Sequence, residues 1–411
     1  MKVALLTREF PPEIYGGAGV HVAALAEALD ELADVAVHCF GSPRSSPLVA
    51  GTYEPWERLT GRSPDPLGGV LGVLSVDLAM AGAVAGADVC HSHTWYANLA
   101  GHLARLGHGI PHVATTHSLE PLRPWKAEQL GGGYALSSWC ERVALEGADA
   151  VIAVSKAMRA DVLSCYPAID PARVEVIHNG IDTARWRPDR QTDVLERHGL
   201  DPSRPLVVFV GRVTRQKGLA HLLRAAPMID GGAQLAVCAG AADTEAIATE
   251  TRLLADVARR RQGGLCWIDG MLPQREIAQL LSHATCFVCP SIYEPFGLVN
   301  LEAMACGAAV VASAVGGIPE IVVDGETGRL VPVELEPGGE PRSPERFSAD
   351  LAEAVNSLVE DPSRARQMGL AGRRRAEELF SWRAVASRTL ECYERVTGPG
   401  WQRAAGDGRA R

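Results

Sequence analysis

The sequence predicts an α/β protein built from two parallel sheets, each covered by helices on both faces. Short apolar runs alternate with amphipathic segments in two successive sets, which is typical of doubly wound sheets. A chain of 411 residues with 47% hydrophobic content is also large enough to bury two cores. The first set of predicted strands comprises Val3–Leu6, Val35–Phe40, Val89–His91, His112–Thr116, Ala150–Val154 and Val174–Ile177. The second set comprises Leu206–Gly211, Gln234–Ala239, Leu265–Ile268, Thr285–Pro290 and Ala309–Ala312.

Helical periodicity and polar stretches predict the domain boundaries. The expected helices include Val20–Leu32 near the start and Phe347–Val359, Pro362–Phe380 and Trp382–Val396 near the end. A polar stretch that begins at Arg185 indicates a linker. We therefore predict an N-terminal domain over 1–187 (completed by about 381–400), a linker over 188–205, a C-terminal domain over 206–380 and a disordered tail over 401–411.

Composition excludes several classes of protein. The net charge is −9 with no long basic block, so binding to a nucleic acid backbone is not expected. No stretch reaches the ~20 apolar residues of a membrane span, and the N-terminus reads as a strand rather than a signal peptide. The ten cysteines are scattered, several of them in predicted core strands, which favours a reduced, cytoplasmic protein. Cys286 and Cys289 lack a second ligand pair, so zinc or redox chemistry is not expected there.

Two glutamates mark the junction between a predicted buried strand and a helix. Glu294 and Glu302 have seven residues between them, and the interruption by Pro295 and Gly297 makes the first a loop residue and the second a helical one. The free amides of the helix start, near Gly297 and Leu298, can bind a diphosphate. Glu302 can then reach a ribose, while Glu294 lies beside the sugar, so this stretch predicts a nucleotide-sugar site.

Two cations follow the first strand of the second set. Arg212 and Lys217 lie at its carboxyl end, where ligands of parallel sheets bind, whereas Arg215 between them is expected to be solvated. A departing nucleoside diphosphate develops negative charge, and preorganised cations can neutralise it. This arrangement does not require Mg²⁺, and the chain has no acidic motif suited to holding a metal on phosphates.

A glycine cluster follows the first strand and opens a helix. The spacing of Gly16, Gly17 and Gly19 misses the Gly-x-Gly-x-x-Gly dinucleotide pattern, and no acidic residue ends the second strand. Close backbone approach to a donor phosphate and to an acceptor therefore fits better than a nicotinamide cofactor.

These motifs resemble those of the retaining GT-B glycosyltransferases, and within them those of glycosyltransferase family 4. The resemblance rests on Glu294 with Glu302, Arg212 with Lys217, the Asn179–Asp182 segment and the Gly16–Gly17 loop, and it covers residues 1–400. The segments Thr7–His21, His91–Tyr96 and Ser118–Lys126 further resemble the actinobacterial glycogen synthase and α-maltose-1-phosphate synthase type. The implied fold has two Rossmann-like, doubly wound domains facing across a cleft, with a C-terminal helix that crosses back to the N-terminal domain.

The resemblance also implies roles for individual residues. The implied catalytic groups are Arg212, Lys217, Glu294 and His117. The implied nucleotide-sugar contacts are Gly16, Gly17, Arg212, Lys217, Phe296, Gly297, Leu298 and Glu302, with Glu302 on the ribose and Glu294 on the sugar hydroxyls. His93, Tyr96, Arg123 and Lys126 are expected on the acceptor side, the two cations because a sugar-phosphate acceptor carries charge.

Other polar residues near these motifs leave alternatives open. His91 and His93 line the acceptor side or pack in place, and a metal on this pair is disfavoured. His21 reads as a packing residue and Asn179–Asp182 as a structural turn. The amides of Gly316–Gly317 either face the nucleotide or form only a tight turn.

The expected activity is retaining α-1,4-glucosyl transfer from ADP-glucose, without a metal, to glucose-1-phosphate (giving α-maltose-1-phosphate), to the non-reducing end of glycogen, or to both. The alternative is another family 4 enzyme with a UDP-sugar donor and a sugar- or inositol-phosphate acceptor. A Rossmann oxidoreductase and an inactive nucleotide-sugar sensor are disfavoured, the latter because the full set of two cations and two glutamates is present. We further expect a cytoplasmic protein with no nucleic acid partner and no integral membrane association, and allow for a homodimer.

Overall fold

The computed structural model describes residues 1–57, 66–123, 133–242, 245–270 and 272–399. The chain divides into two compact units. Unit 1 comprises Met1–Gly180 and the described residues of Trp382–Arg411, and unit 2 comprises Ile181–Ser381. The predicted disordered tail over 401–411 lies outside the described residues. No helix of the described ranges is both long and apolar enough to cross a membrane.

The strands and helices alternate along both units. The strands are β1 (Lys2–Thr7), β2 (Asp34–Phe40), β3 (Val49–Tyr53), β4 (Val89–His93), β5 (His112–Thr116), β6 (Ala150–Ala153), β7 (Val174–Val176), β8 (Leu206–Val213), β9 (Gln234–Ala242), β10 (Leu265–Asp269), β11 (Cys286–Cys289), β12 (Ala309–Ser313) and β13 (Gly328–Val331). The α-helices are α1 (Gly17–Asp30), α2 (Pro66–Ala83), α3 (Trp95–His108), α4 (Gly133–Gly147), α5 (Lys156–Cys165), α6 (Asp193–Arg197), α7 (Leu219–Ala225), α8 (Glu245–Ala258), α9 (Gln274–His283), α10 (Leu298–Ala305), α11 (Ile318–Ile321), α12 (Pro344–Val359), α13 (Pro362–Leu379) and α14 (Trp382–Thr397).

Unit 1 contains a parallel seven-stranded sheet in the order β3-β2-β1-β4-β5-β6-β7. Successive side chains of β1 point to opposite faces, so Val3 and Leu5 pack with α1 and α14, whereas Ala4 and Leu6 pack with α2 and α3. Helices on both faces explain why the strands are nearly continuous apolar runs. The strand order reverses between β1 and β4, which is the topological switch point of this sheet.

The final helix belongs to unit 1, as the family resemblance implied. In α14, Val385, Cys392 and Tyr393 are buried in the same cluster as the apolar side of α1. The amphipathic pattern of α14 is therefore satisfied against the first helix of the chain, far away in sequence. The expectation of a C-terminal helix that returns to the N-terminal domain is confirmed.

Unit 2 contains a parallel six-stranded sheet in the order β10-β9-β8-β11-β12-β13. In its core, Val207 and Phe209 of β8 lie in one hydrophobic cluster with residues of α7 and with Leu351 and Val355 of α12. The switch point lies between β8 and β11. The predicted α/β class with two parallel sheets is confirmed.

Two strands were not predicted, and both are edge strands of their sheets. β3 contains Gly51 and is only partly buried, and β13 begins at Gly328 and includes Arg329. An edge strand needs no continuous apolar run, so neither segment carries the pattern of a buried strand.

The structure places the unit boundary after Gly180, earlier than the predicted boundary at 187. Residues 188–205, expected as a linker, lie within unit 2 and include α6. Val194 and Leu195 of this helix are buried, and the amide of Val194 donates to Gln279 Oε1 of α9 at 2.7 Å. Two buried apolar residues in a mostly polar stretch were too weak a signal to indicate packing.

Candidate active site

The predicted site residues that the structure describes lie at or after the carboxyl ends of strands at the two switch points or next to them. In unit 1 they follow β1, β4 and β5, and in unit 2 they follow β8 and β11. Because ligands of doubly wound sheets bind at these positions, the topology supports a site in each unit. We call these the unit 1 site and the unit 2 site, and describe each by itself.

An ion pair forms the centre of the unit 2 site. Lys217 Nζ donates to Glu294 Oε2 at 2.7 Å, and Ser291 Oγ donates to the same oxygen at 3.1 Å. The Lys217 side chain is 21% exposed and that of Glu294 is 8% exposed. The pair therefore brings together two residues that are 77 positions apart and keeps one face open to a ligand.

Backbone contacts hold the two loops that carry this pair. Lys217 is the last residue of a short 3₁₀ turn. The Thr214 hydroxyl caps this turn and accepts from the Lys217 amide at 3.2 Å. The amide of Ile292 donates to the carbonyl of Gln216 at 3.0 Å, which joins the loop after β11 to the turn after β8. Gly218 has a φ of +64°, and a Cβ there would lie 1.9 Å from the carbonyl oxygen of Pro290, so only glycine permits this approach.

The protonation of Lys217 follows from its surroundings. Burial by itself favours the neutral amine, but the carboxylate of Glu294 outweighs this effect, so the pKa of Lys217 lies above its ordinary value. Lys217 thus carries its charge at neutral pH. The nearby guanidinium of Arg212, half-buried near the end of β8, opposes this rise in the pKa of Lys217 without cancelling it. Two cations therefore lie beside one another.

Arg215 behaves as the sequence predicted. Its guanidinium is exposed and pairs with Glu340 Oε1 at 3.2 Å. It is thus a cation two residues from Lys217 that points to the protein surface.

The Gly316–Gly317 turn supports the backbone of Glu294. The amide of Gly317 donates to the carbonyl of Glu294 at 2.9 Å. Gly316 has a φ of +54°, and a Cβ there would lie 2.0 Å from the same carbonyl oxygen. The turn therefore has a structural role in holding the Glu294 loop. Whether its amides also face a nucleotide stays a prediction.

The start of α10 has the features expected of an anion site. Gly297 has a φ of +107° and caps α10 without any side-chain hydrogen bond, so no capping side chain occupies the first amides. Phe296 is buried and Leu298 is half-buried beside this start. Burial raises the pKa of Glu302, one turn further in, to about 7, whereas the charge of Lys217 lowers it. Glu302 and Lys217 are therefore close enough to interact electrostatically.

In the unit 1 site, a carboxylate that sequence reasoning missed organises the glycine loop. Glu9 Oε2 accepts from the amides of Tyr15 and Gly16, each at 2.8 Å. A Cβ at Gly16 would meet no protein atom within 4 Å, so packing does not require glycine at this position. Glu9 occupies the amide of Gly16, and Gly17 is exposed beside it as the first residue of α1. An acidic residue shortly before a glycine loop was the available signal.

Three histidines meet at the same end of the unit 1 sheet. His21 comes from α1, His93 ends β4 and His117 follows β5, with His93 Nδ1 and His117 Nε2 3.1 Å apart. The ring of His21 lies 4.7 Å from that of His117 and 5.4 Å from that of His93. Asn179 Oδ1 is 2.8 Å from His21 Nδ1, so the segment predicted as a structural turn also orients this ring.

Burial keeps these imidazoles neutral at neutral pH. It lowers the pKa of His21 to about 4, although the hydrogen bond that His21 donates to Asn179 acts in the opposite direction. Burial likewise puts the pKa values of His93 and His117 well below the ordinary value, and neighbouring histidines lower them further. The unit 1 site therefore offers uncharged donors and acceptors.

His91 is committed to the core. Its Nδ1 is 2.6 Å from the hydroxyl of Tyr393 and its Nε2 is 2.7 Å from Thr115 Oγ1. Both ring nitrogens thus have protein partners, which supports the packing alternative for His91.

Tyr96, predicted on the acceptor side, lies at the start of α3. The guanidinium carbon of Arg8 is 4.1 Å from the centroid of the Tyr96 ring.

The structure describes only one of the two predicted acceptor cations. Arg123 donates through Nη2 to Glu120 Oε1, and the Glu120 side chain is fully buried. This ion pair gives Arg123 a structural task within unit 1, in a cluster that also includes Glu141. Lys126 lies outside the described residues. Acceptor binding by either residue stays a prediction.

The two switch-point sites and the paired parallel sheets define the class of the protein, the GT-B glycosyltransferases. The model of Glycosyltransferase Family 4 matches residues 15–185, and that of Glycosyl transferases group 1 matches residues 191–375. The chain belongs to glycosyltransferase family 4.

Similar proteins agree with this assignment. The chain is 55% identical to the α-maltose-1-phosphate synthase of Mycolicibacterium smegmatis, over 97% of this chain and 100% of that protein. It is 31% identical to a glycogen synthase of Mycobacterium tuberculosis, over 96% of this chain and 94% of that protein. Sucrose-phosphate synthase from Thermosynechococcus elongatus superposes with a TM-score of 0.76 at 28% identity, covering 96% of this chain and 98% of that one. These comparisons support a hexosyltransferase.

Proposed function

We propose that the chain is a retaining α-1,4-glucosyltransferase that moves glucose from ADP-glucose to glucose-1-phosphate, giving α-maltose-1-phosphate. The observation that carries the proposal is the Lys217–Glu294 ion pair at the unit 2 switch point, a charged and partly open site suited to a sugar diphosphate. The choice of acceptor is supported by the 55% identity to an α-maltose-1-phosphate synthase over its full length.

The chemistry assigned to the unit 2 site is departure of the diphosphate. The bond between glucosyl C1 and the diphosphate oxygen breaks, and ADP leaves with the electron pair. Lys217 and Arg212 offset the developing negative charge, and the first amides of α10 add a positive dipole end. Because the cations are already held in place by Glu294 and the surrounding backbone, little reorganisation is needed during the reaction.

The acceptor oxygen then attacks C1 on the face from which the diphosphate departs, so the anomeric configuration is retained. The O4 hydroxyl of the acceptor forms the new bond, and its proton passes to the departing diphosphate. Glu294, which Lys217 and Ser291 hold in place, is assigned to the sugar hydroxyls and Glu302 to the ribose. The uncharged imidazoles of His93 and His117 are assigned to hydroxyl groups of acceptor and donor sugar.

The reaction is proposed to need no metal ion. Arg212 and Lys217 supply charge where a Mg²⁺ would otherwise neutralise the diphosphate. Turnover should therefore be unchanged when EDTA replaces Mg²⁺ in the assay, and a strict requirement for Mg²⁺ would overturn this part of the proposal.

Product analysis tests the function directly. The purified protein is incubated with ADP-glucose and either glucose-1-phosphate or glycogen, and products are separated by anion-exchange chromatography. The proposal expects a disaccharide phosphate whose new linkage is α-1,4 by NMR. A β linkage would refute retention, and turnover only with a UDP-sugar or only with an inositol phosphate would refute the assigned substrates.

Elongation of glycogen is the second candidate, supported by the 31% identity to a glycogen synthase. Chain lengthening without any disaccharide phosphate would favour it over the first.

A cytoplasmic location is proposed because all ten cysteines are unpaired and most are buried. Homodimer formation stays a prediction that light scattering can test.

A further inference from the structure

The three histidines of the unit 1 site present more nitrogen ligands than packing requires. One ring nitrogen from each of His21, His93 and His117 lies within 4.8 Å of those of the other two. The side chains of His21 and His93 are 3% and 1% exposed. Apolar side chains could fill such a space without burying polar atoms, so the cluster calls for a ligand.

Hydrogen bonding leaves lone pairs available in this cluster. Asn179 Oδ1 can only accept, so His21 Nδ1 carries the proton and His21 Nε2 is left as an acceptor. His21 Nε2 and His93 Nε2 are both buried and have no hydrogen-bond partner among the residues that the structure describes. Buried polar atoms of this kind are rare, and a ligand is one of the few explanations for them.

Each imidazole binds a metal ion through the lone pair of one ring nitrogen. His93 Nδ1 and His117 Nε2 share one proton, so binding of an ion by all three rings requires a change of tautomer in one of them.

We propose that His21, His93 and His117 form a site for a divalent transition metal ion of the zinc class, with a fourth position open to water or to a substrate oxygen. Zn–N bonds of ~2.0–2.1 Å in a tetrahedron place the nitrogens roughly 3.4 Å apart. One ring nitrogen from each of the three histidines lies within 4.8 Å of the other two, so the rings need to approach one another by no more than ~1.4 Å to reach this spacing. Imidazoles without a carboxylate favour zinc over Mg²⁺ or Ca²⁺.

Asn179 plays the part of an outer partner in this site. Ligating histidines usually donate their second ring N–H to an oxygen that fixes the tautomer and the ring orientation, and Asn179 accepts in this way from His21. His91, next to His93 with 4.2 Å between ring centroids, is excluded as a ligand because both of its nitrogens are already occupied.

The bound ion would compete with glucosyl transfer. This consequence rests on the proposed function, in which His93 and His117 contact the sugars, whereas metal binding itself does not depend on it. Zn²⁺ should thus lower turnover, and EDTA should restore it.

Direct binding provides the test. Metal-free protein is titrated with Zn²⁺ by isothermal calorimetry and with Co²⁺ by visible absorption, which reports tetrahedral geometry. We expect one ion per chain in wild type. Asn179→Ala should weaken binding by about 10- to 100-fold, as expected for loss of an outer partner, and His21→Asn and His93→Asn should weaken it more. His108→Asn, which removes an exposed histidine of unit 1, should leave the affinity unchanged.

Circular dichroism of each variant shows whether it is folded. Because two different ligand residues are substituted, the test can still be made if one of the two variants does not fold. Failure of folded wild-type protein to bind one ion, or wild-type affinity in folded His21→Asn, would overturn the site. If wild type binds one ion but turns over no donor at all, the metal site stands and the proposed function fails.

Discussion

Replacing Lys217 with methionine removes one cation and leaves the carboxylate of Glu294 in a mostly buried position with Ser291 as its remaining partner. Breaking a fully buried pair costs about 3–5 kcal/mol and an exposed pair about 0–1 kcal/mol. Since the Lys217 side chain is 21% exposed and Glu294 is 8% exposed, we expect about 1–3 kcal/mol. For a unit of this size, that lowers the melting temperature by about 2–12 °C.

The expected effect on catalysis is larger than the effect on folding. Lys217 is assigned to charge that develops only as the diphosphate leaves, and losing such a group costs about 10²-fold or more in kcat. A 10²-fold loss corresponds to about 2.7 kcal/mol of the activation barrier. The assay is release of ADP from ADP-glucose with saturating acceptor, at a temperature where the variant remains folded.

Arg215 provides the matched control. It lies in the same 3₁₀ turn but pairs with exposed Glu340, so Arg215→Met should change kcat less than about 2-fold and stability by less than about 1 kcal/mol. Near-normal turnover by Lys217→Met, or an equal loss in Arg215→Met, would refute the assignment of Lys217 to the leaving group.

Three further predictions test other parts of the structure. Burial raises the pKa of Asp77 well above that of an unfolded chain, so the folded protein loses stability as the pH rises above ~4. Asp77→Asn should therefore raise the melting temperature at pH 7, and this gain should shrink as the pH is lowered towards 4. Gly316→Ala, whose Cβ would lie 2.0 Å from a backbone carbonyl oxygen, should lower kcat by about 10²-fold, whereas Gly338→Ala, which meets no atom within 4 Å, should not. Arg8→Ala should raise the KM for glucose-1-phosphate about 10-fold. Arg8 is exposed beside Tyr96, a predicted acceptor residue, and has no carboxylate partner among the described residues. Arg123→Ala should instead mainly lower thermal stability, because Arg123 pairs with buried Glu120.

The fold, and the clustering of the predicted unit 2 residues, could be predicted from the sequence because their signals are local. Both sheets are buried on two faces, so their central strands appear as apolar runs, and residues directly after such a run lie at the carboxyl edge. Lys217 and Glu294 each follow a predicted strand, and the structure brings them within 2.7 Å. Edge strands such as β3 lack that run and escaped detection.

Contacts between distant segments could not be read in the same way. Asn179 and His21 are 158 positions apart, and nothing near either residue indicates the other. Arg123 and Glu120 are close in sequence, yet their pairing depends on the burial of Glu120 among Ser137 and Glu141 of α4, which no local pattern reveals. Role assignments that depend on burial therefore required the structure.

The two sites also differ in how they handle polar groups, and this difference follows their assigned ligands. The unit 2 site keeps a charged lysine beside a carboxylate, whereas the imidazoles of the unit 1 site are neutral because burial lowers their pKa values. A diphosphate is attracted to fixed cations, while sugar hydroxyls need donors and acceptors that carry no net charge. The charge of each site thus agrees with the proposed assignment of the diphosphate to unit 2. The same neutrality leaves the histidine lone pairs free, which is why the unit 1 site is the one that could take up a transition metal ion.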